Sequence, residues 1–390
     1  MDRLVPVMTP NTAYAVRVTP SWQAQSRRVS AVRRAKSVNR PLSPLEDSGN
    51  AGCATLPLTV VVCTFNRAPR LRDCLESLMD QTEPRESFEV IVVDNGSSDA
   101  TKEVADSFHS RWKGVRRVVE PVQGLSHARN RGVREAFGSA IAFIDDDARA
   151  DRDWVRTIIG FYQRHPTVDA VGGLVDPIAP SKHWVPRDLE RHDLGEGEFP
   201  IMAGPQWLTG TNFSVQRERL CGLGGFDPTL GMMGNRLGYG EEVHLQRRLC
   251  LDGGVIYYSS AIRVFHGYTR TDRMLPWAFA ATYQKGCQHH RTLLEPPAVG
   301  REFRILLKGL ALIVRNGLTL ERKTIRDRLY GAFREFLYAL GRCRSTLALL
   351  LTPDDPLWTL AANRLQKDPG GPGGPLPWHT PRRHCPPRKS

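Results

Sequence analysis

A near-continuous run of apolar, mostly β-branched residues, LTVVVC at Leu58–Cys63, constrains the fold most. A strand that is apolar on both sides has to be covered on both sides, as in a parallel sheet between helices. Similar runs follow at Phe88–Val93 and Ala140–Ile144, and apolar residues recur at helical spacing in Pro69–Gln81 and Ser126–Phe137. Strands that alternate with helices predict parallel βαβ units in an α/β sheet.

Acidic residues stand where two of these strands end. Asp94 follows the second run, and Asp145, Asp146 and Asp147 follow the third. Ligands collect at the carboxyl ends of the strands in such sheets. Two carboxylates about 4 Å apart repel by roughly 1 kcal/mol in water and by about 4 at a protein edge. The cluster therefore indicates either a bound Mg²⁺ or Mn²⁺ ion or a solvated acidic turn that caps the next helix.

A chain of 390 residues is long enough for one large domain or two smaller ones. Charge is distributed unevenly along it. Of the net charge of +13, residues 1–50 contribute +5 and residues 301–390 contribute +10, which leaves −2 for the middle. A near-neutral middle argues against a nucleic-acid groove, so we expect no nucleic-acid partner. The basic ends favour contact with something anionic, such as a membrane surface.

The eight cysteines are scattered and include no Cys-x-x-Cys pair. This spacing argues against a disulfide framework or a zinc site and favours a reducing compartment. No run of 18 apolar residues is present, so we expect no membrane-spanning helix. The predicted location is cytoplasmic, with peripheral contact at the inner face of the membrane as an additional hypothesis.

We predict four segments. Residues 1–55 lack periodicity and are predicted to be a disordered basic leader; 56–270 form the α/β domain; 271–365 are helical; and 366–390 are a flexible Pro/Gly-rich tail. Two predicted C-terminal helices each carry an apolar face. Such faces either pack on the α/β domain or lie on an anionic bilayer. The two faces consist of Phe303, Leu306, Leu307, Leu310 and Val314, and of Leu329, Phe333, Phe336, Leu337 and Leu340.

Further motifs accompany the strand ends in a fixed order. They are TFNR (Thr64–Arg67), DNGSSD (Asp94–Asp99), GLSHARN (Gly124–Asn130), FIDDDA (Phe143–Ala148), LTGTNFSV (Leu208–Val215), GGFDPTLG (Gly224–Gly231), GYGEEVHLQRRL (Gly238–Leu249) and VFHG (Val264–Gly267). Over roughly residues 57–270 this series resembles the family 2 glycosyltransferases, whose nucleotide-sugar-binding domain has the GT-A fold. The resemblance implies an α/β, Rossmann-like, mostly parallel sheet flanked by helices, here with a C-terminal helical extension.

The resemblance also implies an activity and a donor site. An inverting enzyme would move one sugar from a UDP-, GDP- or dTDP-sugar to an acceptor hydroxyl, in bacterial-type glycan, polysaccharide or glycoconjugate biosynthesis. Asp94 would accept a hydrogen bond from the base or ribose, although it could instead close an Asx-turn. Arg129 would lie beside the base or phosphates, although it could be a surface helix residue. The implied donor-binding residues are Thr64, Asn66, Asp94, Asn95, Arg129, Asp145 and Asp146.

The implied cofactor is Mn²⁺ or Mg²⁺, held by Asp147 and Asp145. His266 matches a histidine that completes the metal site in many relatives, and imidazole favours manganese over magnesium; a purely structural histidine is the alternative. The general base would belong to the acidic pair Glu241–Glu242. The family usually has aspartate at the second position, so Glu242 departs by one methylene. We prefer Glu242 and keep Glu241 as the alternative, since acids in a first helical turn also simply favour the macrodipole.

Four residues would line the acceptor side: Trp207, Thr209, Gly210 and Asn212. Trp207 would stack on a sugar or serve as a packing anchor. A lipid-linked hydroxyl is among the acceptors considered. The chain lacks the Q-x-x-R-W motif of processive synthases, which favours a single addition. Two other functions stay open: a non-catalytic nucleotide-sugar binding protein, and a sugar-phosphate nucleotidylyltransferase, which would need a glycine-rich loop where this chain has TFNRAPR.

Overall fold

The computed structural model describes residues 4–9, 12–17, 56–178, 191–201, 206–234, 236–267, 275–294, 299–317 and 322–351. Within the predicted leader, β1 (Leu4–Thr9) and β2 (Thr12–Arg17) form a separate antiparallel hairpin, a feature that the prediction of disorder did not include. The rest of that leader and the predicted tail lie outside the described residues.

One sheet of nine strands organises the described part of the chain. Its strands are β3 (Leu56–Thr64), β4 (Phe88–Asp94), β5 (Val115–Val119), β6 (Gly138–Asp145), β7 (Ala148–Ala150), β8 (Ala170–Pro177), β9 (Glu198–Pro200), β10 (Phe213–Gln216) and β11 (Ile256–His266). Their order is β5-β4-β3-β6-β10-β8-β11-β7, with β9 also paired to β11. The predicted parallel pairing is confirmed for β5, β4, β3 and β6. Strand β8 is also parallel to β11. The other half of the sheet is mixed, because β10 runs antiparallel to both β6 and β8.

Helices cover both faces of this sheet, as the apolar strands require. These helices are α1 (Ala68–Met79), α2 (Thr101–Arg111), α3 (Leu125–Glu135), α4 (Trp154–Arg164), α5 (Arg217–Gly222) and α6 (Glu241–Leu251). Val60 and Val62 of β3 belong to one core cluster, with Leu71 of α1 and Trp154 of α4. Val61 points to the opposite cluster, which includes residues of α3 and α6, since successive strand side chains alternate between faces.

Strand β11 replaces the two short strands that the sequence indicates around GVIYYSS and AIRVFHG. It runs unbroken from Ile256 to His266, and its register against β8 shifts between Ser259 and Arg263. A local irregularity of this kind absorbs extra residues without ending the strand. As a result, His266 is carried to the strand end near Asp147.

The predicted C-terminal helical extension is confirmed by α7 (Leu275–Leu293), α8 (Val299–Gly317) and α9 (Arg322–Leu350). Helix α9 packs on α7 and α8, and α7 packs on α6. A buried ion pair joins α9 to α8, since Arg342 Nη2 donates to Glu302 Oε1 over 2.8 Å. The predicted boundaries near 270 and 365 fall outside the described residues and stay predictions. Within the described part, no helix is both long and apolar enough to cross a bilayer.

Candidate active site

Strand register brings the predicted polar strand ends together. Thr64 of β3 lies opposite Asp94 of β4, and Cys63 lies opposite Asp145 of β6. All three strands run in the same direction, so their carboxyl ends share one edge of the sheet. This is the edge at which open α/β sheets bind ligands.

The side chain of Asp146 lies against the end of β3 and the loop that follows it. Its carboxylate accepts hydrogen bonds from Thr64 Oγ1 over 2.7 Å and from Arg67 Nη1 over 3.1 Å. Burial and the neighbouring charge of Asp147 raise the pKa of Asp146 to about 7, although Arg67 and Thr64 act in the opposite direction. Asp146 therefore joins two loops at the sheet edge.

Asp147 is bound by three cationic or potentially cationic side chains. Its Oδ2 lies 3.2 Å from Arg67 Nη1 and 2.9 Å from Arg70 Nη1, and its Oδ1 lies 3.1 Å from His266 Nε2. Burial would raise the pKa of Asp147, but His266 and the two guanidiniums outweigh it and hold this pKa below its ordinary value. The repulsion among the three aspartates is thus offset by arginines of the loop and helix that follow β3.

A possible metal-ligand set consists of Asp145, Asp147 and His266. One ligand atom from each lies within 4.8 Å of the others. Two carboxylates and an imidazole suit Mn²⁺, and the carboxylates also suit Mg²⁺. The donor set thus fits the implied ion, and the Asp147 oxygen held by the arginines is not the one that contacts His266.

Asp94 closes the turn of its own motif, but through the amide three residues on and not two residues on as in the Asx-turn considered as its alternative role. Ser97 N donates to Asp94 Oδ1 over 2.8 Å, while Arg117 Nε and Nη2 donate to Oδ2 over 3.0 and 2.6 Å. The carboxylate is buried. Whether it also contacts a nucleotide stays a prediction, and Arg117 would stand beside any such contact.

Two asparagines fix the loops around this edge. The Asn95 amide donates to the carbonyls of Glu120 and Val122 and accepts from Gly124 N, so it holds the loop that leads into α3. Asn66 has a positive φ of 55° and accepts a hydrogen bond from Ser98 N over 2.7 Å. Asn66 is exposed, whereas the side-chain amide of Asn95 is hydrogen-bonded to backbone groups of the protein.

Arg129 is buried, so its interpretation as a surface helix residue is wrong. Its Nη1 donates to Glu241 Oε1 over 2.7 Å, and its Nη2 lies 3.6 Å from Asp145 Oδ1. The guanidinium carbon also lies 5.4 Å from the ring centre of Phe226. One cation therefore connects β6 with the start of α6.

The two acids at the start of α6 differ in environment. Glu241 is buried against Arg129, while Glu242 is partly exposed. Burial and the charge of Glu242 raise the pKa of Glu241 to about 8, although Arg129 acts against this shift. Glu241 is thus held within the protein, and Glu242 is the more exposed of the two acids.

The predicted acceptor residues do not form one uniform surface. Trp207 and Thr209 are half-buried, and the Gly210 carbonyl accepts from Arg129 Nη2 over 3.4 Å. Asn212 is fully buried: Oδ1 accepts from Trp154 Nε1, and Nδ2 donates to the carbonyls of Leu174 and Ile262. These bonds occupy the whole Asn212 amide and make direct contact with an acceptor unfavourable in this conformation.

Four polar residues of the site were missed by sequence reasoning. Thr211 Oγ1 donates to Asp145 Oδ2 over 2.5 Å, and the other three are the arginines at Asp147 and Asp94. Arg67 and Thr211 stand inside the quoted motifs TFNR and LTGTNFSV, and Arg70 follows Arg67 by three residues, so their spacing was visible. Nothing local showed which carboxylate each would meet. The missed residues are Arg67, Arg70, Arg117 and Thr211.

Comparison with known proteins supports the resemblance. Two curated relatives are a glucosyl-dolichyl phosphate glucuronosyltransferase of Haloferax volcanii, 27% identical over 66% of this chain and 84% of the relative, and a validoxylamine A glucosyltransferase of Streptomyces hygroscopicus, 36% identical over 50% of this chain and 52% of the relative. The chain thus spans only about half of the second relative.

Solved structures give weaker similarities. A mannosyltransferase of Pyrobaculum calidifontis in complex with GDP-Man and Mn²⁺ is 17% identical, with a TM-score of 0.46 over 90% of this chain and 88% of that chain. Staphylococcus aureus TarS in complex with UDP-GlcNAc is 18% identical, with a TM-score of 0.47 over 74% of this chain and 93% of that chain. At these scores no residue role is transferred.

The family comparison is more specific than either structural similarity. The sequence model described as glycosyl transferase family 2 matches residues 59–235, which run from β3 through the acidic cluster to the loop before α6. The relatives named above are glycosyltransferases, and the mixed sheet between helices agrees with the GT-A fold. The chain is a glycosyltransferase, and its residues 59–235 match glycosyl transferase family 2.

Proposed function

We propose that this glycosyltransferase moves one sugar, with inversion at the anomeric carbon, from a UDP-, GDP- or dTDP-sugar to an acceptor hydroxyl. The observation that carries the proposal is the meeting of Asp145, Asp147 and His266 at the strand ends, with ligand atoms within 4.8 Å of one another. A nucleoside diphosphate needs such a cation-binding edge, because its phosphates are anionic.

On the donor side, Asn66 and Asp145 are the residues with the most exposed polar groups and would touch the nucleotide directly. Asp94, already bonded to Arg117 and Ser97, would receive the base or ribose. Thr64, Asn95, Arg129 and Asp146 support these contacts, since their side chains hold neighbouring loops and acids in place.

Asp145, Asp147 and His266 would hold Mn²⁺ or Mg²⁺. When bound, such an ion offsets the negative charge that develops on the departing diphosphate. Arg67 and Arg70 keep the Asp147 carboxylate ionised and fixed through its Oδ2, which leaves Oδ1 turned towards His266.

Glu242 is the proposed general base. Its carboxylate would take the proton of the acceptor hydroxyl as the acceptor oxygen forms a bond to the anomeric carbon. The bond from that carbon to the diphosphate oxygen breaks on the opposite face, and the nucleoside diphosphate leaves with the electron pair. A positioned base of this kind contributes about 10²- to 10⁴-fold in rate. The partial exposure of Glu242, against the burial of Glu241, supports this assignment.

The proposed acceptor side consists of Trp207, Thr209 and Gly210, with Asn212 as a support behind them. The Haloferax relative is a glucosyl-dolichyl phosphate glucuronosyltransferase, so a lipid-linked hydroxyl is the first acceptor class to test here. The proposed location is the cytoplasm, at the inner face of a membrane. The exposed apolar residues of α8 support that location.

Release of the nucleoside diphosphate from a panel of UDP-, GDP- and dTDP-sugars tests the reaction, with Mn²⁺ present or removed by chelator. We expect metal-dependent release with one donor class, and a loss of at least about 100-fold in Asp147→Asn, because a transition-state cation contributes several kcal/mol. Asp80→Asn is the matched control, since this exposed carboxylate pairs with a surface arginine, Arg152. Full activity in excess chelator would overturn the metal assignment.

The base is tested by comparing Glu242→Gln with Glu241→Gln. Glu242→Gln should keep donor affinity, measured by calorimetry, and lose transfer by about 10²- to 10⁴-fold. Unchanged transfer in Glu242→Gln, together with a loss in Glu241→Gln at equal thermal stability, would move the base to Glu241. Anomeric configuration of the product, read by NMR, decides between inversion and retention.

A further inference from the structure

Helix α8 carries a row of large apolar side chains that face solvent. Phe303, Leu307 and Leu310 are each about half exposed, at 57%, 49% and 48%. Val299 and Val314 extend the row at 58% and 56%. Sequence positions three and four apart lie on one side of a helix, so the five residues form one stripe, which we call the α8 stripe. At about 1.5 Å per residue, its length is about 22 Å.

A different side of α8 is the one that packs on the protein. A side-chain carbon at Gly309 would lie 3.0 Å from Phe336 Cα of α9, so the two helices approach closely there. Glu302, also on this side, is buried in its ion pair with Arg342 of α9. The α8 stripe is therefore not the face that α8 uses to join the fold.

Basic side chains flank the stripe. Arg304, Lys308 and Arg315 are all exposed, and they lie on a helix side adjacent to the stripe and away from the packed face. Residues 301–390 together carry a net charge of +10. An apolar stripe beside a line of cations is typical of a helix that lies in the interface of an anionic bilayer.

Exposure of this kind is concentrated in the C-terminal helices. Of the 15 large hydrophobic residues that are exposed in the described part of the chain, ten lie at or beyond Val299. Large contiguous apolar patches on a folded protein mark interaction surfaces. The adjacent cations favour a lipid headgroup layer over an apolar protein groove, because each cation near an anionic membrane adds about 1 kcal/mol of attraction.

We infer that α8 docks on an anionic lipid bilayer, with the α8 stripe inserted at the headgroup boundary and Arg304, Lys308 and Arg315 against the phosphates. Helix α9 connects α8 to α7, and α7 packs on α6, which carries Glu242. The docked helix α8 is thus connected, through α9 and α7, to the helix that carries the proposed base. The docking itself does not depend on the transfer reaction.

Cosedimentation of the full chain with vesicles tests the inference without any activity measurement. Vesicles of phosphatidylcholine alone are compared with vesicles that contain about a third phosphatidylglycerol. We expect binding to the anionic vesicles that weakens as NaCl rises, since salt screens the attraction. Binding that is absent, or equal on both vesicles, would overturn the inference.

Two variants separate the apolar and charged parts. Phe303→Gln/Leu307→Gln/Leu310→Gln should abolish binding, while Val119→Gln/Leu251→Gln, which alters exposed apolar residues elsewhere, should not. Arg304→Gln/Lys308→Gln/Arg315→Gln should weaken binding on the order of 100-fold, whereas Arg152→Gln/Arg156→Gln on the exposed side near α4 should not. Thermal melts establish that each variant is folded. A control variant that weakens vesicle binding as much as the corresponding α8 variant would contradict the proposal.

Two other occupants of the α8 stripe, a second copy of the chain or residues beyond Leu351, would give different results in solution. If the stripe joins two copies, light scattering would find a dimer that the apolar variant converts to a monomer, and the dimer would not bind vesicles. If residues beyond Leu351 cover it, only a chain ended at Leu351 would bind. Either result would overturn docking by the full chain on a bilayer.

Discussion

Arg129 Nη1 donates a hydrogen bond to Glu241 Oε1 over 2.7 Å and so joins α3 to the first residue of α6. The two side chains are 4% and 6% exposed. Arg129 Nη2 also lies 3.6 Å from Asp145 Oδ1. Because one guanidinium meets both acids, it sets the position of the proposed base, Glu242, relative to the proposed metal ligands.

Removal of this cation should destabilise the fold. Arg129→Met leaves the buried Glu241 carboxyl without its hydrogen-bond partner, which costs about 1–3 kcal/mol of unfolding free energy. Urea denaturation of Arg129→Met, Glu241→Gln and the double variant measures the coupling, which we expect at about 0.5–3 kcal/mol. Arg156→Met, at an exposed ion pair, should change stability by less than about 0.5 kcal/mol. Strict additivity of the two buried substitutions would contradict the pairing.

Glu241 should also make folding stability depend on pH. Its pKa is raised from 4.5 to about 8 in the folded protein by burial and by Glu242. The unfolded chain therefore releases this proton first as pH rises, so the stability from this group is complete below about pH 4.5 and is lost towards pH 8. The free energy of unfolding should fall by up to about 4 kcal/mol less in Glu241→Gln than in the wild type. Urea titration from pH 4.5 to 8.5 measures this difference. Glu103→Gln on the exposed side of α2 should keep the wild-type slope.

Asn212 should behave as a support of the sheet. Asn212→Ala removes the partners of Trp154 Nε1 and of two carbonyl oxygens, and each buried group left unpaired costs about 1–3 kcal/mol. Trp154→Phe breaks one of these bonds and also leaves a cavity in the core, because the indole is fully buried, so it should destabilise the protein as well. Calorimetric melting temperatures rank the variants. An Asn212→Ala protein with wild-type stability but a raised KM for the acceptor would instead show direct contact with the acceptor.

Gly210 should not tolerate a side chain. An added Cβ would lie 2.5 Å from Arg129 Nη2, so Gly210→Ala should displace the buried guanidinium and cost about 1–3 kcal/mol, with a fall in transfer rate. Gly222→Ala is the matched control, because no atom lies within 4 Å of a Cβ there. Thermal melts and nucleoside-diphosphate release on both variants check the prediction. Equal behaviour of the two alanine variants would show that Arg129 relocates freely.

The strands β3, β4 and β6, and the acids at the ends of β4 and β6, could be predicted from sequence. Val60, Val61 and Val62 are apolar on both strand faces and are buried on both, and periodicity of this kind is a local property. The step from Ile144 to Asp145 likewise marks a strand end without reference to the rest of the chain. The sheet half that contains β10 was not predicted, since its strand is short and pairs antiparallel with distant partners.

The partners of the charged and apolar side chains could not be predicted from sequence, because they come from distant segments of the chain. Arg129 and Glu241 are separated by 112 residues, and no local pattern indicates that they meet. Arg67 contacts Asp146 and Asp147 from about 80 positions away. The apolar row of α8 was visible as a helix face, but only the packing of α8 through Gly309 and Glu302 leaves that row in solvent. Periodicity fixes which side chains share a face, whereas the partner of each face depends on chain segments far away in sequence.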